Sequence, residues 1–153
     1  DLGFIYYDLK DYRAAADAFD RGARVPNAHP FLKIMAAQCA QHGGELKTAQ
    51  MLWTAVYETT KDKYIRDNAE QHLRALKADF EAQELEKIVA SFHQQTGRYP
   101  SSFAELARAR VLPGIPVDPM GKQYQLDGKG QVFVGDPDNF PFVEKALPPW
   151  YRP

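Results

Sequence analysis

The sequence predicts a mainly α fold: helical hairpins, a long helix, then a small α+β module containing a β-hairpin. Three observations carry that prediction. Only Pro26 and Pro30 occur before residue 100, while nine prolines run from Pro100 to Pro153. An interior proline removes a helix hydrogen bond and clashes with the preceding turn, so only the first part can be continuously helical. Apolar residues in that part recur at i, i+3, i+4 spacing, and those beyond Asp118 alternate at period two. Charge does not shift with the prolines: 13 basic residues face 14 acidic ones before position 100, and 6 face 6 after it. The expected domains are 1–80 and 81–153.

The 153 residues are 44% hydrophobic and 25% charged, which excludes a disordered or fibrous chain, and the formal charge of -1 supplies no net field toward nucleic acid or an anionic membrane. Charge or amide groups interrupt every apolar stretch well short of the roughly 18 to 20 residues a spanning helix needs. The start, Asp1-Leu2-Gly3-Phe4, lacks a basic n-region, an apolar h-region and an initiating Met. It reads as part of a longer chain with any signal or anchor upstream.

The first hairpins announce themselves by repetition. A shift of 34 residues superposes Tyr12 on Leu46, Ala15 on Ala49, Phe19 on Trp53, Gly22 on Val56, Gly3 on Ala37 and Tyr6 on Ala40. Tyr12, Ala15, Ala16, Phe19 and Ala23 form one helical stripe, and Leu46, Ala49, Trp53, Val56 and Tyr57 form another. Gly43-Gly44 predicts a tight helix-to-helix turn, and Pro26 to Pro30 separates the hairpins.

Leu2-Gly3, Tyr6, Tyr12, Ala15, Phe19 and Gly22, followed by Pro26, resemble the tetratricopeptide repeat over about residues 2 to 60, the second copy being weaker. The resemblance implies a noncatalytic scaffold whose inner helices grip a protein or peptide on a concave face. Mapped onto this chain, it puts Phe4, Tyr7, Asp8, Ile34, Gln38, Gln41 and His42 on that face. A solvated or neighbour-covered helix face is an equal alternative for these residues, because helix direction decides what touches. Ile34 stands where a carboxylate-clamp lysine would be, which disfavours a chaperone-tail receptor.

Lys63 to Thr96 contains no Gly or Pro and is rich in good helix formers. Its apolar stripe runs through Ile65, Ala69, Leu73, Leu76 and Phe80, then resumes at Leu85, Ile88, Val89 and Phe92. The five-residue step after Phe80 turns the apolar face by about 140° at about 100° per residue. Either one helix buries different sides in its two halves, or the chain breaks near Glu81 to Gln83. Gly97 predicts the C-terminal cap.

Ser102 with Glu105 predicts a capping box that opens a short helix through about Ala109. Asp118-Pro119 and Gly121 predict a turn; Gln123–Leu126 and Gln131–Val134, joined by Asp127 to Gly130, predict a β-hairpin. Tyr124, Leu126, Val132 and Val134 would cover the helix around Ile88, Val89 and Phe92. The order Gly97-Arg98-Tyr99-Pro100, short helix, Pro116-Val117-Asp118-Pro119-Met120-Gly121 and Tyr124 resembles the C-terminal half of type II secretion pseudopilins over about residues 84 to 136. Met120 replaces the usual aromatic, and the hydrophobic pilin helix is absent from this sequence. The resemblance implies a bacterial cell-envelope setting, periplasmic or extracellular, and an accessory role in a secretion or pilus-type assembly. A self-associating structural subunit is the alternative.

Chemistry is sparse. His29, His42, His72 and His93 fall on separate elements with no i, i+4 pair, so no metal residue is expected. Cys39 and His42 lie three apart on one predicted helix, but a lone cysteine there reads as packing, and no catalytic residue is expected. No phosphate loop, nucleophile elbow or dinucleotide fingerprint occurs, so no cofactor is expected. Asp136, Asp138 and Asn139 with Asp127 make calcium worth testing, since some pseudopilins hold it in such loops, although ordinary turn composition is the favoured reading of these residues. The ending Ala146 to Pro153 reads as a polyproline-like tail able to dock on its own repeats or in a partner's groove.

Overall fold

The computed structural model of the chain describes residues 2–134. It is mainly helical: α1 (Leu2–Asp8), α2 (Tyr12–Ala23), α3 (Phe31–His42), α4 (Leu46–Thr59), α5 (Lys63–Thr96) and α6 (Phe103–Arg108) precede β1 (Gln125–Leu126) and β2 (Val132–Phe133). The described residues divide into two compact units after Leu76, against the boundary expected at residue 80. Asp136, Asp138, Asn139 and the Pro-rich ending lie outside the described residues.

In the first unit the 34-residue period is visible in the backbone. α1 ends at Asp8 and α3 at His42; α2 begins at Tyr12 and α4 at Leu46. The turns match bond for bond. Lys10 N–H donates to Tyr7 O and Asp11 N–H to Tyr6 O, while Gly44 N–H donates to Gln41 O and Glu45 N–H to Ala40 O. Both turns place their pivot in the left-handed region, Lys10 at φ 58° and Gly44 at φ 76°. Glycine does this without strain, so the first copy carries a small cost that the second avoids. The equivalent pairs Ala15 and Ala49, and Phe19 and Trp53, are all buried.

Small residues set how closely the helices approach. A Cβ on Gly3 would lie 2.7 Å from the Phe19 ring, so only glycine lets α1 settle on α2. Ala36, Ala37 and Ala40 are themselves fully buried on α3, which packs against both α2 and α4. Asp11 caps α2, its Oδ1 accepting from Ala14 N–H at 3.1 Å.

α5 is one continuous helix, which decides against a break near Glu81. Its buried residues are Ala69, His72 and Leu76, then Ala78, Ala82, Leu85, Val89 and Phe92. Two regular series thus meet across a two-residue step, and the phase changes at Leu76 and Ala78 rather than beyond Phe80. Leu73 and Phe80, expected in the stripe, are only half-buried. His72 takes the place expected for Leu73.

The second unit packs Ala82, Leu85, Val89, Phe92, Phe103, Leu106, Tyr124 and Val132 together. Tyr124, Val132 and, at the edge, Leu126 cover the helix as expected, whereas Val134 does not join the cluster; Leu126 lies opposite Val132 and Gln125 opposite Phe133. The strands are two residues long rather than four. Ser102 caps α6, its Oγ accepting from Glu105 N–H at 3.2 Å, but the Glu105 carboxylate reaches back to Ser101 N–H at 2.8 Å instead of to Ser102. Arg98 pairs with the same carboxylate. These bonds, Arg98 first, hold the Glu105 carboxyl down at about 2.

Candidate functional site

The face expected to bind a partner is built from α1 and α3. The structure brings only part of it to the surface. Phe4 sets its ring edge-on to Phe19 at 5.0 Å, joining the α1–α2 packing. Tyr7 meets Tyr12 at 5.7 Å, and Tyr12 stacks on His42 at 5.5 Å, giving an aromatic row across both copies of the repeat. Asp8 and His42 are exposed, whereas Phe4, Tyr7 and Gln41 are half-buried.

Ile34 and Gln38 correct the expectation. Both are buried, at 7% and 2% exposure, because the α3 face that carries them lies in the interior of the first unit. Gln38 cannot meet a partner without the unit opening, and Ile34 keeps only the small exposed area that lines a cleft between the α2–α3 and α4–α5 connections.

Gln41 is held by its own chain. Its Oε1 accepts from Trp53 Nε1 at 2.9 Å and lies 2.7 Å from His72 Nδ1. Indole nitrogen only donates, which identifies that Gln41 atom as oxygen, and His72 must then carry its proton on Nδ1. His72 also stacks on Trp53 at 4.2 Å with an interplanar angle of 14°. Its Nε2, like Gln38 Oε1, is buried with no hydrogen-bond partner among the described residues. Burial, and secondarily His42, lower the His72 pKa to about 3, so the imidazole stays neutral at physiological pH. Spacing alone could not find this cluster, since i+3 and i+4 both fit a helical stripe.

Cys39 is fully buried, and burial pushes its thiol up to about 12. A thiol so disfavoured as thiolate is a poor nucleophile. Cys39 lies in the packed interior of the first unit, while His42 is exposed and stacks on Tyr12.

In the second unit Tyr124 donates to Glu81 Oε2 at 2.6 Å, and Glu86 Oε1 accepts from Val132 N–H at 3.1 Å. Burial, followed by Glu81, raises the Tyr124 phenol above its ordinary value. Asp118, 3% exposed, accepts from Met120 and Lys122 N–H through Oδ1 and so shapes the turn expected at Asp118-Pro119. Asp127 Oδ1 accepts from Lys129 and Gln131 N–H inside the hairpin loop, an ordinary Asx turn. Among the described residues no group of three or more His, Cys, Asp or Glu is arranged to hold a metal ion. No described helix is long and apolar enough to cross a membrane.

No family model, curated protein or solved structure compared with this chain matches it.

Proposed function

We propose that this chain is a noncatalytic protein-interaction scaffold. The observation that supports it is the repetition of one helical hairpin, turn for turn, at a spacing of 34 residues. Stacked hairpins of this kind create surface without enclosing a reaction chamber, and the Tyr7–Tyr12–His42 row with the neighbouring Asp8 offers aromatic area and charge to a partner. Residues 84 to 136, through their likeness to pseudopilins, extend the reading to an accessory of a bacterial envelope secretion or pilus-type assembly.

The test is a crosslinking pull-down from native envelope fractions, scored by mass spectrometry. The intact chain is compared with Asp8→Lys/His42→Glu, two exposed positions whose replacement spares the core. A discrete partner lost with the variant is the expected result. Recovery of the same proteins by both forms overturns the assignment of this face.

A second reading, a self-associating structural subunit, draws on α1. Leu2, Ile5 and Leu9 recur at helical spacing and are 50%, 57% and 71% exposed. Sedimentation across a hundredfold concentration range distinguishes the readings. Oligomers formed without a partner, and lost with Ile5→Lys, favour the subunit.

A further inference from the structure

A cleft of about 420 Å³ opens in the first unit where the α2–α3 and α4–α5 connections come together. Its floor is apolar: Ala23, Ala28, Ile34, Val56 and Ile65. Its rim is cationic, with Lys33 from the first turn of α3 and Lys61 from the α4–α5 connection. From this we infer that the cleft binds an acidic peptide segment of a partner protein, an apolar side chain entering the floor and a carboxylate lying between Lys33 and Lys61. The inference rests on the scaffold reading and deepens it by giving the partner a chemistry.

Charge complementarity carries the argument. Elsewhere in this unit five cations are paired at short range, Arg13 with Glu45, Arg21 with Asp17, Arg24 with Asp20, Lys63 with Asp67 and Arg74 with Glu70, and Lys10, Lys47 and Arg66, which form no ion pair among the described residues, do not line the cleft. Lys33 and Lys61 form no ion pair among the described residues. The one carboxylate on the rim, Asp62, caps α5, its Oδ1 accepting from Tyr64 and Ile65 N–H, and its single charge leaves the two lysines in excess. The start of that helix is thereby satisfied, so the lysines and not the helix end attract an anion. Two ammonium groups over an apolar floor suit an apolar residue beside an acidic one.

Shape decides between a peptide and a small amphiphile. A small ligand is held by enclosure of most of its surface, and this cleft is only partly enclosed. A peptide needs only to insert side chains there while its backbone stays in water. The volume lies within the ordinary range for binding clefts and accepts more than one side chain.

The experiment uses the full chain and three capped peptides of equal length and equal Leu and Phe content, whose remaining positions are all acidic, all basic or all Ser. Affinity is read by fluorescence anisotropy and location by amide chemical shifts. The acidic peptide should bind, shift the amides of Ala28, Ile34 and Ile65, and weaken with added salt. Lys33→Glu/Lys61→Glu should weaken it at least about tenfold, Lys33→Gln/Lys61→Gln less, and Lys47→Glu/Lys122→Glu hardly at all. The uncharged pair keeps the test valid if charge reversal disturbs folding, which thermal melting reports.

Absence of binding, shifts elsewhere, equal binding of the basic or Ser peptide, or indifference to the lysine variants each overturn the inference. So does oleate occupying the cleft when the acidic peptide does not. If the pull-down still yields a partner that Asp8→Lys/His42→Glu loses, only the cleft falls and the scaffold reading stands; if both fail, both fall.

Discussion

The two units are built on opposite principles. The first gains its order from small residues, Gly3, Ala15, Ala36, Ala37, Ala40 and Ala49, which let neighbouring helices close on one another. The second spans long sequence separations with polar side chains: Glu81 to Tyr124 and Glu86 to the Val132 amide. Close packing tolerates little change of volume but needs no polar partner, whereas hydrogen-bonded links tolerate shape change and fail when a partner is lost. The first unit departs from its own principle at the Gln41–His72–Trp53 cluster, where His72 Nε2 is buried without a partner among the described residues, and at Gln38, whose buried Oε1 also has none.

Breaking that place should have the largest effect. Trp53→Ala removes a fully buried ring and orphans one bond to Gln41, and should cost about 3–5 kcal/mol in urea unfolding followed by circular dichroism. An equal loss in Tyr124→Phe would erase the contrast between the units.

Acid should separate the units next. The unfolded chain takes up a proton at His72 below its ordinary 6.5, whereas the folded unit does not until about 3. Stability therefore falls as pH drops from 6.5 toward 3, by about 2 kcal/mol at pH 5. Equilibrium unfolding at pH 7 and pH 5, with and without His72→Gln, checks it. An unchanged slope in the variant would show that another group carries the loss.

Tyr124→Phe should cost about 1–2 kcal/mol, since the bond goes to a half-buried carboxylate. It also tests the alkaline side: the unfolded phenol ionises near 10 while the folded one resists, so wild-type stability falls as pH rises above 10 and the variant's does not.

The smallest effect belongs to Glu105→Gln, which breaks the pair with Arg98 and weakens the bond accepted from Ser101 N–H. Because the folded carboxyl titrates at about 2 against an ordinary 4.5, its contribution is complete above 4.5 and is lost as pH falls toward 2. A melting series from pH 5 to pH 2 should show that slope only in the wild type. The first unit thus weakens well before this acid limb of the second begins.

Local rules made much of the fold legible. Helical spacing found α2 and α4, the glycine pair found the Gly44 turn, and Ser102 with Glu105 found α6. The 34-residue shift anticipated matched turns, although one of them pivots on Lys10, where nothing in a lysine side chain signals a left-handed backbone. What stayed hidden depends on which element covers which. Ile34 and Gln38 sit on a face that spacing leaves open and packing closes. His72 displaced Leu73 because a polar ring with a buried acceptor beside it substitutes for an apolar side chain, and only the position of Gln41 reveals that. The lysine-rimmed cleft joins residues from two connections far apart in sequence, so no motif could display it.

Cys39, the chain's single cysteine, has a use that follows from its inertness. Shielded and held protonated, it reacts with a thiol reagent only in molecules whose first unit has opened, so the labelling rate at mildly alkaline pH is a clock for that opening. A ligand that closes the lysine-rimmed cleft would slow the clock in proportion to its occupancy, and one that acts on the second unit alone would leave it running at the same speed.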